Sequence, residues 1–308
     1  MFWSKSVPFK AAKDIPSLEG KVILVTGGSN GLGKQSVLEY ARHNPAQIWL
    51  AARNLEKAQA AVEDIKKEVP DAPITVLKLD LASLQSVKDA AAKFSAESDR
   101  LDILLLNAGV MAIPPAVTEE GYEIQFGTNH VGHALLTKLL VPVLDKTAKS
   151  SDAGVRIVSL GSYAHNYTAT GGIDFKSLKS KSENMSSSAR YGQSKLACIL
   201  FARQLAKEYP QFTSVSLHPG LVRTNLFHAA TDSPAILRLT MPLWDYFLVT
   251  PEDGAKNQLW ASVAKDVKNG EYYEPIGIPG RASSYGKNDE LAKKLWDWTE
   301  KELESYTI

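Results

Sequence analysis

The chain has 308 residues, of which 44% are apolar and 22% are charged, a composition that is ordinary for a globular protein. Its formal net charge of +1 excludes the broad positive field with which a protein gathers nucleic acid or an anionic membrane. The single cysteine, Cys198, excludes an internal disulfide and any multi-cysteine metal site. No apolar run reaches the roughly 18 residues of a membrane-spanning helix, so we expect a cytoplasmic protein.

Residues 1–18 form a predicted N-terminal arm that lacks the apolar run and cleavage site of a signal peptide. Apolar and basic side chains alternate in it, namely Phe2, Trp3, Val7 and Phe9 with Lys5, Lys10 and Lys13. Such a pattern can contact a membrane surface. We favour the simpler interpretation, an arm that folds against the main domain or stays loose.

Short apolar segments then alternate with helical segments along the chain. The predicted strands are 21–28, 47–53, 74–81, 101–109, 154–162 and 212–220. The predicted helices are 33–44, 55–69, 83–97, 128–144 and 190–209. Fully apolar strands separated by helices predict a mostly parallel sheet with helices on both faces, and right-handed crossovers make this a doubly wound α/β Rossmann fold.

No linker divides the sequence, so residues 19–308 are interpreted as one domain. Two segments interrupt the alternation. Residues 165–190 are polar and rich in Ser and Lys, which predicts a surface insertion. Residues 225–254 carry aromatic and branched side chains without a strand period, which predicts a small helical cap over an apolar substrate pocket.

The first predicted strand runs into TGGSNGLG, in which the glycines are Gly27, Gly28, Gly31 and Gly33. Glycine at this point permits a tight turn, lets a pyrophosphate approach the backbone and allows close packing of helix on strand. The free N–H groups and the dipole at the start of a helix favour an anion. A glycine-rich turn after the first strand of an α/β chain therefore predicts dinucleotide binding.

The spacing Gly27-x-x-x-Gly31-x-Gly33, preceded by Thr26, resembles the short-chain dehydrogenase/reductase family. Most other dinucleotide dehydrogenases carry G-x-G-x-x-G instead. The resemblance implies that Thr26, Leu32 and the glycines of this turn contact a nicotinamide dinucleotide.

Arg53 ends the second predicted strand, twenty positions after Gly33. An acidic side chain there would accept from a ribose 2′-hydroxyl, whereas arginine offers a planar fork of donors to a 2′-phosphate. Arg53 therefore predicts NADP(H) as the cofactor, with Ser29 and Asn30 as weaker candidates around the same phosphate. The alternative is an ordinary surface arginine.

Two further pieces of the family pattern follow the third and fourth predicted strands. The resemblance implies that Asp80 and Leu81 face the adenine, although Asp80 could equally cap the next helix. The run Asn107-Ala108-Gly109 matches the N-A-G signature of the family. Asn107 could bridge neighbouring strands, and the two small residues would leave room beside the cofactor.

The run after the sixth predicted strand, HPGLVRTNL, contains Pro219, Gly220, Val222 and Thr224. The family places this run against the nicotinamide and the pyrophosphate, with the backbone near Val222 holding the carboxamide. A Pro-Gly pair also simply turns the chain, and both roles are compatible.

The segment YGQSK places Tyr191 and Lys195 four positions apart, on one face of a helix. A free tyrosine has a pKa of about 10, a poor match to proton transfer at neutral pH, and a nearby ammonium lowers that value. Such pairs also occur by chance on many helices. On the helix after the fifth predicted strand, the pair matches the catalytic Tyr-x-x-x-Lys of the family.

The family also requires a serine at the end of the fifth strand, where Ser159 and Ser162 are available. The pattern favours Ser162, which could polarise a substrate carbonyl, and leaves Ser159 inside the strand. Tyr191 follows Ser162 by 29 residues, more than twice the spacing in many family members. The insertion 165–190 accounts for the excess, and its position resembles the retinol-dehydrogenase-like branch with its fungal and plant relatives.

Asn129 matches the helix asparagine with which the family holds a water behind the catalytic lysine. The adjacent His130 and His133 could form a metal pair, but two histidines without a third ligand more often indicate packing, so no metal is expected. Cys198 lies in an apolar helical segment and is interpreted as a core residue.

The predicted function is NADP(H)-dependent interconversion of a small lipophilic ketone or aldehyde and an alcohol. Asn129, Ser162, Tyr191 and Lys195 would be its catalytic residues, in a monomer or homodimer without nucleic-acid partners. An NADP(H)-sensing or scaffold protein is the alternative, although such proteins usually lose the Tyr or the Lys. A hydrolase is disfavoured because Gly161-Ser162 lacks the second glycine of a nucleophile elbow.

Overall fold

The computed structural model describes residues 6–150, 154–222 and 248–307. Its strands are β1 (Val22–Thr26), β2 (Gln47–Ala52), β3 (Ile74–Lys78), β4 (Ile103–Leu106), β5 (Arg156–Leu160), β6 (Thr213–Leu217), β7 (Tyr272–Glu274) and β8 (Ile278–Pro279). They form one sheet in the order β3-β2-β1-β4-β5-β6-β7-β8. All pairs are parallel except β7 with β8. The prediction of a mostly parallel, doubly wound sheet is confirmed.

The helices lie on both faces of this sheet. They are α1 (Ala11–Asp14), α2 (Gly31–Ala41), α3 (Leu55–Glu68), α4 (Leu84–Glu97), α5 (Ile124–Phe126), α6 (Gly132–Ala148), α7 (Ser187–Glu208), α8 (Pro251–Val263) and α9 (Asp289–Glu302). A π-helical turn (Gly127–Val131) joins α5 to α6, and a 3-10 helix (Tyr163–Asn166) follows β5.

Alternate residues of each strand supply two separate hydrophobic cores. Leu24 and Trp49, which are register partners, pack with α4, α6, α7 and α9 on one face. Ile23 and Ile48, the preceding pair, pack with α2, α3 and α8 on the other. Because both faces are covered, the strands need no polar side, which explains their continuous apolar sequences.

The described part of the N-terminal arm folds against the domain. Phe9, Ile15 and Leu18 are buried in the core on the α2 side. The Val7 N–H donates to the Ile276 carbonyl at 2.9 Å, which ties the arm to the segment between β7 and β8. Among the described residues, no helix is long and apolar enough to cross a membrane.

The structure describes most of the predicted insertion and little of the predicted cap. Within 165–190, Ile173 and Leu178 are buried in the core on the α7 side, so this segment is anchored through its apolar side chains. Most of the predicted cap, 225–247, lies outside the described residues. Its last four residues, 251–254, form the first turn of α8, which packs on α2.

Candidate functional site

The glycine turn between β1 and α2 has the backbone that a phosphate site requires. Gly27 and Gly31 adopt positive φ angles of 68° and 52°, which only glycine reaches without strain. A Cβ on Gly33 would collide with the Gly27 carbonyl oxygen, so any larger residue would push α2 away from β1. Asn30 is the N-cap of α2, but its side chain makes no capping hydrogen bond. The helix N-terminus can therefore accept an external anion.

Hydrogen bonds between Thr26 and Asn107 stabilise this turn from its buried side. Thr26 is fully buried, and its hydroxyl oxygen accepts from the N–H groups of Asn107 at 2.9 Å and Ala108 at 3.0 Å. The Asn107 side-chain amide donates to the Thr26 carbonyl at 2.8 Å. The predicted bridging role of Asn107 thus has a geometric basis. The hydrogen bonds of the Thr26 hydroxyl all lie within the protein among the described residues.

Arg53 follows β2 at the same edge of the sheet as the glycine turn. Its side chain is exposed, and within the described residues it makes no hydrogen bond or ion pair. The next residue, Asn54, caps α3 by accepting from the Lys57 N–H at 2.8 Å. The backbone around Arg53 is therefore fixed while its guanidinium remains available to a ligand.

Asp80 does not cap α4, the alternative role that its sequence position allowed. The N-cap of α4 is Ser83, and the Asp80 carboxylate accepts from the Ala82 N–H at 3.0 Å in a local turn. Asp80 is half-buried, whereas the Leu81 side chain is buried in the core.

The run after β6 turns away from the sheet at Gly220, whose φ angle is 93°. Val222 is buried and forms a parallel bridge with Val249. A Cβ on Gly254 would come within 2.5 Å of the Val222 side chain, so α8 begins directly against this run. Pro219 is half-buried beside Gly220. The predicted contact residue Thr224 lies outside the described part of the chain.

Tyr191 and Lys195 lie together on α7, as their spacing predicts. Both side chains are buried, with 8% and 5% of their surfaces exposed. The Lys195 ammonium lies 5.8 Å from the centre of the Tyr191 ring and donates to the Leu160 carbonyl at 2.7 Å. This bond joins α7 to the end of β5, two residues before Ser162.

Asn129 and Gly109 complete the group around the lysine. A Cβ on Gly109 would lie 3.1 Å from Asn129 Oδ1 and 3.4 Å from Lys195 Nζ, so the N-A-G signature leaves room where these polar groups meet. The Asn129 side chain accepts from the Val110 N–H at 2.8 Å and donates to the Val110 carbonyl at 3.0 Å. It also donates to Ser194 Oγ at 2.9 Å. The contacts with Val110 and Ser194 thus fix the orientation of the Asn129 side chain.

Ser162 lies just after β5 and is the N-cap of the short helix Tyr163–Asn166. Its Oγ accepts from the Ala164 N–H at 3.1 Å, which leaves the hydroxyl hydrogen free to donate. Ser159 is a buried residue within β5, in agreement with the choice of Ser162. A Cβ on Gly192 would lie 2.6 Å from the Ala164 carbonyl, so the turn of α7 that carries Tyr191 packs directly on the helix that follows Ser162.

The histidines near Asn129 make contacts within the fold. His130 pairs through Nε2 with Thr299 Oγ1 at 3.0 Å, and burial lowers its pKa to about 3. His133 pairs with Thr26 Oγ1 at 2.9 Å and with the Asn129 carbonyl at 3.0 Å, and burial lowers its pKa to about 4. Among the described residues, no group of three His, Cys, Asp or Glu side chains could hold a metal. Cys198 is buried in the core, where burial raises the pKa of its thiol.

Sequence patterns did not identify two supports of the site. The fully buried Arg190 pairs with the fully buried Glu123 at 3.2 Å, which fixes the start of α7 beside Tyr191. Gln258 on α8 donates to Ser36 Oγ at 2.7 Å and thereby braces α2 behind the glycine turn. The position of Arg190, directly before Tyr191, is a local signal for the first support. The Gln258–Ser36 contact joins residues that are distant in sequence, so no local pattern indicates it.

A family model described as short chain dehydrogenase matches residues 21–235. An uncharacterised oxidoreductase of Schizosaccharomyces pombe is 40% identical over 301 residues, which cover 94% of this chain and 87% of the relative. Retinol dehydrogenase 13 of Homo sapiens is 38% identical over 289 residues, which cover 91% of this chain and 83% of the relative.

Solved structures share the same architecture. An uncharacterised protein of Mycobacterium paratuberculosis has a TM-score of 0.73 and 30% identity, covering 94% of this chain and 96% of the other. A short chain dehydrogenase of Escherichia coli CFT073, complexed with NADPH, has a TM-score of 0.62 and 23% identity, covering 84% of this chain and 98% of the other. At the latter identity the likeness shows the fold alone.

Proposed function

The chain belongs to the short-chain dehydrogenase/reductase family, and from this premise we propose that it is an NADP(H)-dependent oxidoreductase acting on a lipophilic ketone or aldehyde or the corresponding alcohol. The observation that carries the proposal is the convergence of Lys195, Asn129 and Gly109 beside Tyr191. A buried ammonium next to a phenol, held by a locked asparagine, is an arrangement suited to proton transfer.

The residues of the glycine turn fit a dinucleotide. Positive φ angles at Gly27 and Gly31 and the close approach of Gly33 to Gly27 leave a shallow backbone cradle at the N-terminus of α2. This cradle would hold the pyrophosphate. Ser29 and Asn30 belong to this turn. The backbone at Asp80 and Leu81 would lie towards the adenine, and Pro219 to Val222 would hold the nicotinamide end.

Arg53 supports NADP(H) over NAD(H). Its exposed guanidinium has no partner in the described protein and can form charge-assisted hydrogen bonds to a 2′-phosphate. A carboxylate at that position would repel the same phosphate. Solved structures of the same fold include complexes with NADP and NADPH.

The side chains divide the chemistry as follows. The nicotinamide, when bound, would supply or accept the hydride. Ser162 donates its free hydroxyl hydrogen to the substrate oxygen and polarises the carbonyl. Tyr191 gives that oxygen a proton during reduction. Lys195 stabilises the phenolate that remains, and Asn129 fixes the backbone of Val110 beside it.

A lipophilic substrate is supported by the apolar surface beside Ser162. Tyr163 and Tyr167 pack edge to face at 6.0 Å and keep 51% and 62% of their surfaces exposed. Leu221, in the run after β6, is 50% exposed. Relatives of this chain include retinol dehydrogenases, whose name denotes an apolar alcohol.

The direct test is an oxidation assay of NADPH and NADH with purified full-length protein. The carbonyl panel would contain a conjugated polyene aldehyde, a steroid ketone, an aromatic ketone and a short aliphatic aldehyde. We expect turnover with NADPH and a higher kcat/KM for the large apolar carbonyls. Binding of NADPH in calorimetry without turnover of any carbonyl or alcohol would favour the sensor or scaffold function instead.

A further inference from the structure

His165 lies within the helix that begins at Ser162 and is completely buried. Its Nδ1 lies 2.6 Å from the Ser162 carbonyl oxygen, and its Nε2 lies 2.9 Å from the backbone nitrogen of Ser283. The His165 ring packs edge to face on the Tyr272 ring, with 5.0 Å between the ring centres. One side chain thus bridges the predicted catalytic serine and the chain between β8 and α9.

The two partners fix the protonation of this imidazole. The Ser283 N–H can only donate, so Nε2 must accept and carries no proton. The proton then lies on Nδ1, which donates to the Ser162 carbonyl. Burial lowers the pKa of His165, which keeps the ring neutral and preserves this tautomer.

The Ser162 carbonyl also accepts from the His165 backbone N–H at 3.1 Å. Its Oγ accepts from the Ala164 N–H at 3.1 Å. Both oxygens of Ser162 therefore accept hydrogen bonds from this helix, and the hydroxyl hydrogen is the donor that its side chain can offer to a substrate. The orientation of that hydrogen bond depends on the helix staying in place.

We propose that His165 is a positioning residue that holds Ser162 in its catalytic orientation by donating from Nδ1 to the Ser162 carbonyl, while the Ser283 N–H in the segment 280–288 sets the tautomer that makes this donation possible. The proposal rests on the oxidoreductase function proposed above. The long segment between Ser162 and Tyr191 is attached to the same C-terminal segment, since the Gly171 N–H donates to the Tyr285 hydroxyl at 2.9 Å. His165 and Gly171 thus each join the insertion to this C-terminal segment.

Two substitutions separate the two hydrogen bonds of the His165 ring, which together form a bridge from Ser162 to Ser283. His165→Asn puts an amide N–H near the position of Nδ1 and retains donation to Ser162, but loses the acceptor for Ser283. His165→Gln puts its amide near Nε2, where it can accept from Ser283, but loses donation to Ser162. We expect His165→Gln to lower kcat by about 10- to 100-fold with little change in KM for NADPH, because a small misplacement of a reacting group is costly. His165→Asn should stay within about threefold of wild type.

The matched controls separate positioning from stability. Thr147→Val removes two hydrogen bonds at the far end of α6, one from the Leu101 N–H and one to the Val143 carbonyl, and should lower the melting temperature without changing kcat. In a Ser162→Ala background, His165→Gln should change kcat by less than about threefold, because residues that act through one group are not additive. A general folding defect would lower kcat equally in both backgrounds.

Equal losses of kcat in His165→Asn and His165→Gln, or additive losses with Ser162→Ala, would overturn the proposal. If wild type shows no carbonyl turnover at all, the proposed function fails, and the bridge is then tested by nitrogen NMR of the histidine rings. The expected spectrum shows His165 as a neutral ring protonated on Nδ1. A ring protonated on Nε2, or a charged ring, at neutral pH would contradict the bridge irrespective of activity.

Discussion

Lys195 and Arg53 are two cations with opposite surroundings. Lys195 has 5% of its surface exposed and donates to the Leu160 carbonyl at 2.7 Å, close to the locked Asn129. Arg53 is exposed and makes no hydrogen bond or ion pair to any residue in the described ranges. In the proposed complex, the first would lie at the nicotinamide end of the dinucleotide and the second at the adenosine end.

This difference in surroundings is consistent with the two separate tasks that the proposed function assigns to Lys195 and Arg53. A group that assists proton transfer must be held in place before substrate arrives, because its orientation would otherwise have to be established at each turnover. A group that selects a cofactor can be ordered by the phosphate that it binds. We therefore expect substitutions at the Lys195 end to reduce kcat, and substitutions at the Arg53 end to change which cofactor binds.

Tyr191→Phe gives the largest expected effect and tests the Lys195 end. Loss of the phenolic hydroxyl removes the proposed proton donor, so kcat should fall by about 10²- to 10⁴-fold. Affinity for NADPH, measured by calorimetry, should change by less than about threefold, since the ring is retained and a threefold change is under 1 kcal/mol. Turnover like that of wild type would contradict the assigned role of Tyr191.

Arg53→Asp tests the opposite end and should have a smaller effect. Replacing a donor fork by a carboxylate should lower kcat/KM with NADPH by about 10- to 100-fold and raise the relative preference for NADH, because a charge-assisted contact is lost and a repulsion is gained. Lys66→Asp, at an exposed position of α3, makes the same change of charge as a control. An equal loss with NADPH and NADH would indicate that Arg53 does not contact the 2′-phosphate.

The buried histidines behind the Lys195 end should make the fold sensitive to acid. Burial lowers the pKa of His130 to about 3 and that of His133 to about 4, whereas a histidine in the unfolded chain has a pKa of about 6.5. The unfolded state therefore binds more protons as the pH falls below this value. The stability associated with the neutral rings is complete above pH 6.5 and is lost towards pH 4, with about 2 kcal/mol per histidine lost between pH 7 and pH 5.

The measurement is the free energy of unfolding in urea at pH 7 and pH 5 for wild type and two variants. His130→Gln should lose about 2 kcal/mol less between these two pH values than wild type. Thr299→Val removes the hydroxyl partner of His130 but keeps the imidazole, so it should retain the wild-type pH dependence. If the free energy of unfolding falls equally in wild type and His130→Gln between these pH values, protonation of His130 does not contribute to the acid sensitivity of the fold.

Local sequence patterns predicted the first six strands of the sheet, the glycine turn and the Tyr191–Lys195 pair. The apolar strands, the glycine turn and the Tyr191–Lys195 spacing depend on neighbours along one strand, turn or helix, and all appear in the structure at the predicted positions. The approximate limits of β1 to β6 were predicted for the same reason. Helices α8 and α9 and the strands β7 and β8 were not predicted. The two strands have only three and two residues, too few for a periodic pattern, whereas α9 has a clear amphipathic period that local sequence could have revealed.

Supports that join distant residues could not be predicted. The Glu123–Arg190 pair, the Gln258 contact with Ser36 and the His165 contact with Ser283 each depend on elements that meet only in the folded chain. Residues 165–190 illustrate the same limit. Their polar composition predicted a surface insertion, whereas buried Ile173 and Leu178 anchor the segment to the core.

The most direct measurement is a crystal structure of the protein with NADPH bound. The expected structure has the pyrophosphate on the N-terminus of α2, the 2′-phosphate at Arg53 and the nicotinamide ring within about 4 Å of the Tyr191 side chain, the distance of a direct contact. A nicotinamide ring that contacts neither Tyr191 nor Lys195 would contradict the proposed chemistry.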